Sequence, residues 1–422
     1  MPTLKRVPPI LAILALSLVS AGGIASGEPS IKDPDFVIRE FVSGIGTSPT
    51  TMAFVGDNDT LVLVKDDGRV RLIRNGALQG EPVLDVSVTA VAEQGMLGIT
   101  AVNSTIYLYF TESDRDGGEA LGKRVYRYDW DGNKLVNPLL VKDLDEIQTY
   151  HNGGAMVTDL DNSVYLVVGD AGHFGKLQNK PRGEPDDTSV ILRIAPEGPY
   201  YAIGIRNSFG LAVDPYSGRL WDTENGDDDF DEINMVEPGF NSGWDRIMGP
   251  ANESQIASLP PFEGYTYSDP EFTWQKGVAP TALTFVKSDV MAAYGNSLFV
   301  GECSQGNLYR FELNDNRDGF VFAEPALSDR LANLNDPLDE IIFGTGFGCI
   351  TDLEVGPDGL LYITSFSHGA IYRMIPNDMA TAGGVNPFPG AIIYPLIGAV
   401  AATAGILAFL NRRRKKNNRL QS

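Results

Sequence analysis

A strand–turn–strand unit recurs along this chain with no helical periodicity between its copies, and few folds can accommodate such a pattern. Residues 298–310 (LFVGECSQGNLYR) and 361–373 (LYITSFSHGAIYR) share an apolar strand, a short polar turn, a Gly and a second strand closing on Tyr-Arg. Residues 61–73 have the same shape, and with longer turns so do 106–128, 164–194 and 220–236. Alternating apolar residues around Gly/Asp turns mark each as a hairpin. A further apolar run precedes each one, beginning at Met52, Met96, Ala155, Phe209, Ala282 and Ile350. That makes six three-stranded units with room for a fourth, outer strand. Strand repeats of this length point to radial stacking rather than a solenoid. The expected fold class is all-β, a six-bladed β-propeller.

The ends of the chain differ from the repeats. Lys5 and Arg6 precede an uncharged run over 10–25, small residues follow, and the first acid is Glu28, the order of a secretory signal peptide. Residues 391–410 carry no charge, and 20 residues suffice to cross about 30 Å of hydrocarbon as a helix. Arg412, Arg413, Arg414, Lys415, Lys416 and Arg419 follow, and such clusters stay on the cytoplasmic side. The expected organisation is a signal peptide over 1–27, the propeller over 28–380, a linker over 381–390, a transmembrane helix over 391–410 and a basic cytoplasmic tail over 411–422. The expected location is the cell membrane, single-pass, with the propeller on the extracytoplasmic side.

The net charge is −22, and setting aside the eight basic residues of the two ends, which carry no acids, leaves −30. Such a surface repels nucleic acid and anionic lipid heads, so neither is expected as a partner of the propeller. Cys303 and Cys349 are the only cysteines, and outside the cell such a pair is expected to be bridged.

Propeller geometry brings distant residues together. The innermost strands ring a channel with their starts on one rim, which places Glu93, Gln94, His151, Arg206, Asn207, Pro280 and Cys349 around a funnel. Asp170, Glu224, Gly226 and Cys303 fall just outside it. His151 opens His-Asn-Gly-Gly, whose glycines let backbone and ligand come close. Asp170 ends the next strand and could orient the imidazole, as a general base requires; a buried structural histidine is the alternative. Arg206-Asn207 combines a planar fork with a donor and an acceptor, against the alternative of a surface ion pair. Residues 227–232 hold five acids beside Gly226, oxygen ligands suited to Ca²⁺ unless they form a solvated loop.

Together these motifs resemble the glucose/sorbosone dehydrogenase family, which includes soluble aldose dehydrogenases using pyrroloquinoline quinone (PQQ). The matching text is Glu93-Gln-Gly-Met-Leu-Gly, His151-Asn-Gly-Gly, Val168-Gly-Asp, Gly204-Ile-Arg-Asn, Asp231-Glu-Ile-Asn, Asn241-Ser-Gly-Trp, Val278-Ala-Pro and Gly356-Pro-Asp-Gly. The resemblance implies an extracytoplasmic dehydrogenase that oxidises an aldose or related sugar with PQQ and Ca²⁺. It implies His151 as the base, Asp170 as its support, and Arg206 and Asn207 as contacts to the quinone. Backbone oxygens of Gly226 and Asp227 would hold the Ca²⁺, Glu232 would help bind structural Ca²⁺, and Glu93 and Gln94 are assigned to the substrate.

Two departures accompany it. The family clamps the carboxylates of PQQ with a Lys in the turn before the position of Gly306, and with two Arg just before that of Asp352. Here Cys303-Ser-Gln and the stretch 346–351 carry no positive charge. The expectation is that Cys303 and Cys349 join across the rim where the clamp stood. The alternative function is a cofactor-less propeller of the same family that binds a glycan or a protein partner. No Ser nucleophile motif, His-Glu-x-x-His zinc spacing or phosphate loop occurs in the chain.

Overall fold

The repeated hairpins are apolar on both faces, so each must lie between two neighbours. The computed structural model, which describes residues 27–144, 148–180 and 185–381, meets that demand. The middle strands Val164–Val168, Leu220–Glu224 and Leu361–Ser365 are buried at every position. Among the described residues the strands assort into six sheets of four to six strands, each built on an antiparallel meander.

The innermost strands are Pro49–Val55, Met96–Val102, Met156–Thr158, Ser208–Val213, Pro280–Phe285 and Ile350–Val355. Each contacts the next, and the last contacts the first, so the sheets close into a ring. A separate cluster of buried apolar side chains fills each gap between neighbouring sheets. The chain is an all-β propeller. Its core is a set of radial seams rather than one central mass, which the hydrophobic effect tolerates because every sheet face is covered.

The closure of the ring was not legible in the repeats. Strand Phe36–Ser43 pairs antiparallel with Ala370–Pro376 and so completes the sheet that begins at Ile350–Val355. Ser30–Ile31 pairs with Ile342–Thr345 of the sheet before it. Beyond the sheet, the Asn377 backbone N–H donates to the Asp35 carbonyl at 2.8 Å.

The expected membrane placement is corrected. Among the described residues no helix is long and apolar enough to cross a membrane, and the two α-helices, Glu253–Ala257 and Asn377–Thr381, have five residues each. The stretch 391–410 and the signal segment up to residue 26 lie outside the described residues.

A buried ion pair ties the fourth and fifth sheets: Arg317 donates twice to the fully buried Asp214, both bonds at 2.7 Å. Burial opposes ionisation of Asp214, but the bonds from Arg317 and Ser217 hold its carboxyl below the ordinary range. Glu271 behaves in the opposite way. Burial pushes its carboxyl up to about 8, against the opposing pull of the Met235 N–H, which donates to it at 2.5 Å. A folded value above the unfolded one means that stability is lost as pH rises from about 4.5 through about 8. Glu271→Gln keeps the acceptor and removes the charge. It should therefore flatten this decline, by up to about 1.4 kcal/mol per pH unit, in urea unfolding measured between pH 5 and pH 9. Parallel pH profiles for variant and parent would show that Glu271 does not titrate there.

Candidate functional site

Three segments converge on one rim because glycine lets their backbones touch. A Cβ on Gly169 would lie 2.5 Å from the His151 carbonyl and 2.8 Å from that of Arg206, so no other residue fits between them. The Asp170 N–H then donates to the Arg206 carbonyl at 2.8 Å. His151 itself has φ +55°, a left-handed conformation that costs a non-glycine residue free energy and concentrates at functional sites.

Asp170 is fully buried beneath this junction. Its Oδ1 lies 2.5 Å from His151 Nδ1 and accepts from the His173 N–H at 3.0 Å. Its Oδ2 accepts from Trp244 Nε1 at 2.6 Å. Burial works against the charge, yet the hydrogen bonds from His151, His173 and Trp244 prevail and hold the carboxyl below its ordinary value. An ionised carboxylate can only accept, so His151 Nδ1 is the donor to Asp170, and in a neutral imidazole Nε2 is then the acceptor. The His151 side chain is only 12% exposed and is fixed through Nδ1. That is how a general base is presented.

Arg206 and Asn207 lie on the next segment. The guanidinium donates to the Asn225 carbonyl at 2.9 Å and to Asp227 Oδ1 at 2.7 Å, with its carbon 5.3 Å from the Trp244 ring centroid. The Arg206 backbone N–H donates to Glu224 Oε1 and the Ser242 hydroxyl to Glu224 Oε2, both at 2.6 Å. Burial pushes the Glu224 carboxyl up to about 7, against the opposing pull of those donors. Asn207 Nδ2 donates to Glu93 Oε2 at 3.4 Å, and the same oxygen accepts from the Asn152 N–H at 3.2 Å. Glu93 thereby ties the His151 segment to the Asn207 segment. Asn225 Nδ2 reaches the Pro280 carbonyl at 3.1 Å and links the fifth inner strand to the group.

Other expected residues bond mainly within the protein. Gln94 is buried, and its Nε2 donates to the Gln148 carbonyl at 3.3 Å. The acidic loop is largely committed within the protein. Asp231 accepts from the backbone N–H groups of Gly226, Val278 and Ala279 at 2.6–2.9 Å. Asp227 pairs with Arg206, and Glu232 lies buried, accepting from the Gly249 N–H at 2.5 Å. Among the described residues no group of three or more His, Cys, Asp or Glu side chains is arranged to hold a metal ion. Cys303 and Cys349 are joined as a disulfide. It links the turn after Ser297–Glu302, where Glu302 accepts from the Gln305 and Asn307 N–H groups, to the residue before Ile350–Val355.

Two participants had no assigned role in the sequence. Trp244 appeared only as the end of a motif, yet it anchors Asp170 and faces Arg206. His173 follows Ala171 and Gly172, and all three have φ between +53° and +74°. Its ring meets His151 edge-on with centroids 5.3 Å apart and tilts over Trp244 at 5.7 Å. A His three residues after the Asp of Val-Gly-Asp was the available signal.

Comparison with known proteins agrees with this fold. A family model described as Glucose / Sorbosone dehydrogenase matches residues 47–373. Aldose sugar dehydrogenase YliI of Escherichia coli K12 is 26% identical over 357 residues, covering 78% of this chain and 90% of its own. The PQQ-bound aldose sugar dehydrogenase of Streptomyces coelicolor shares the fold at TM-score 0.59 and 23% identity, over 81% of this chain and 99% of its own. A soluble aldose sugar dehydrogenase from E. coli, solved in its apo-form, aligns at TM-score 0.63 and 23% identity over 81% and 99%. No helix among the described residues is long and apolar enough to span a membrane, which stands against the membrane location expected from sequence.

Proposed function

Because the chain belongs to the glucose/sorbosone dehydrogenase family, we propose that it is a quinoprotein-type dehydrogenase that oxidises an aldose or related sugar, with His151 as general base. The observation that carries this reading is the His151–Asp170 pair, in which Nδ1 lies 2.5 Å from a fully buried carboxylate. The six sheets are read as the six blades of the family's propeller.

The oxidation removes a hydride from carbon and a proton from its hydroxyl. His151 Nε2 takes the proton, and Asp170 stabilises the imidazolium that results. Trp244 and the His173 N–H hold Asp170 in place, so the imidazole plane is fixed before substrate arrives. PQQ, when bound, supplies the two-electron acceptor. Two buried polar atoms at the rim lack a partner, Arg206 Nε and Asn207 Oδ1, and they suit a quinone carbonyl and a ring N–H respectively. Arg206 and Asn207 would hold the cofactor there. Among the described residues the side chains do not converge on a cation site. What supports the inclusion of Ca²⁺ is the oxygen-only chemistry of Gly226, Asp227 and Glu232.

A second reading, a propeller of this family that binds a glycan or protein without cofactor, is favoured by one observation. The Cys303–Cys349 disulfide occupies the two uncharged segments of the rim, so nothing cationic there meets an anionic cofactor. Titration of the protein with PQQ, with and without Ca²⁺, decides between them. Saturable binding with sugar-dependent dye reduction, lost on chelation and restored by Ca²⁺, is the expected result. Absence of binding at millimolar PQQ would overturn the dehydrogenase and leave the binding propeller.

A further inference from the structure

Three Asn-x-Ser/Thr triplets, the acceptor pattern of N-linked glycosylation, begin at Asn58, Asn103 and Asn252. An enzyme must reach the amide and the hydroxyl two residues on together, and the fold treats the three triplets differently. Asn58 is exposed, but Thr60 is fully buried with its hydroxyl shut away from solvent. Asn252 caps the helix Glu253–Ala257: its side-chain oxygen accepts from the Ser254 and Gln255 N–H groups at 3.0 Å and from the Ser254 hydroxyl at 2.6 Å. The side chain and the hydroxyl needed there are thus committed to each other and to the helix.

The middle triplet has neither obstacle. Asn103 and Ser104 form the exposed two-residue tip between strands Met96–Val102 and Thr105–Ser113, and Thr105 is partly exposed at the strand start. Asn103 has φ +57°, a left-handed conformation that Asn adopts more readily than most residues. The Trp130 N–H fixes the tip through the Ser104 carbonyl at 2.8 Å, while the Asn103 side chain makes no hydrogen bond among the described residues. The Cys303–Cys349 disulfide is a separate observation in favour, since such bonds persist in the oxidising compartments where this modification is made.

We propose that Asn103 is an N-glycan acceptor, the one triplet of the three that the folded protein leaves open. In the transfer, Asn103 Nδ2 bonds to the anomeric carbon of an oligosaccharide carried on a polyprenyl pyrophosphate. The bond from that carbon to the pyrophosphate oxygen breaks, the lipid pyrophosphate leaves with the electron pair, and Nδ2 gives up one proton. Strand Met96–Val102 starts at the rim and runs away from it, and its seven residues at about 3.3 Å each set Asn103 roughly 20 Å from the rim. A glycan there stands on the face opposite His151 and leaves the approach to the base open. The assignment does not depend on the dehydrogenase reading.

The test offers the folded full-length protein to a single-subunit oligosaccharyltransferase and a lipid-linked oligosaccharide, in a preparation verified on a free Asn-x-Thr peptide. Peptide mass spectrometry then locates the glycan. The expected result is a glycopeptide containing Asn103 and none containing Asn58 or Asn252. Thr105→Val removes the hydroxyl and suits a strand, and Asn103→Asp keeps a residue tolerant of the left-handed turn. Each should lose the glycopeptide while keeping the circular dichroism spectrum of the parent. No transfer to the folded protein would overturn the proposal, as would transfer at Asn58 or Asn252 in place of Asn103, or a glycopeptide that persists in Thr105→Val.

Discussion

Substitution of His151 by Gln is expected to lower kcat for sugar oxidation by about 10²- to 10⁴-fold, with a much smaller change in KM. Gln can hydrogen-bond to Asp170 but cannot accept a proton at neutral pH, so the loss falls on the transition state rather than on binding. Asp170→Asn should produce a loss of the same order by another route. The amide no longer requires a proton on Nδ1, so the lone pair need not face the substrate. It also carries a signature independent of activity. Because the Asp170 carboxyl ionises below its ordinary value in the folded state, its stabilisation is complete above that value, 3.8, and is lost as pH falls through the lower folded one. Acid unfolding followed by circular dichroism should therefore be less steep in Asp170→Asn. Steady-state kinetics give the first effect, and His151→Gln turning over like the parent would remove the imidazole from the mechanism.

Cys303→Ser should cost about 2–4 kcal/mol of stability in urea unfolding. The bridge closes a loop across a sequence separation of 46, and chain-entropy arguments place a loop of this size near the top of that range. The bond joins the fifth sheet to the start of the sixth, the sheet that both ends of the fold must complete. Loss of the covalent link should thus loosen the closing seam before the rest. Reduction of the parent protein should reproduce the effect, and a thiol count of two before reduction would show the bridge absent in solution.

Much of this architecture was written in the local pattern. Apolar alternation around Gly/Asp turns gave every inner hairpin, and the topology then predicted that His151, Arg206 and Asn207 would share a rim. What stayed hidden depends on contacts between segments far apart in sequence. Nothing around Phe36 says that its partner is Ala370–Pro376, since one edge strand resembles another until the ring closes. Trp244 reads as a core aromatic, and only the fold shows its indole N–H on Asp170. The acids of 227–232 looked alike by composition. In the structure three of the five differ in fate: Asp231 caps backbone N–H groups, Asp227 pairs with Arg206, and Glu232 is buried. Gln94 shared a motif with Glu93, yet it is buried and its Nε2 donates to the Gln148 carbonyl.

The seam between Phe36–Ser43 and Ala370–Pro376 has a consequence for biosynthesis. One of the first strands to leave the ribosome must wait, unpaired, for one of the last. At about 5–20 residues per second that delay is tens of seconds, during which an open sheet edge and an uncovered apolar face are on offer to any neighbouring chain. A nascent ring can add blades but cannot lock. The chain thus depends, until its final turn is made, on whatever keeps unfinished proteins apart.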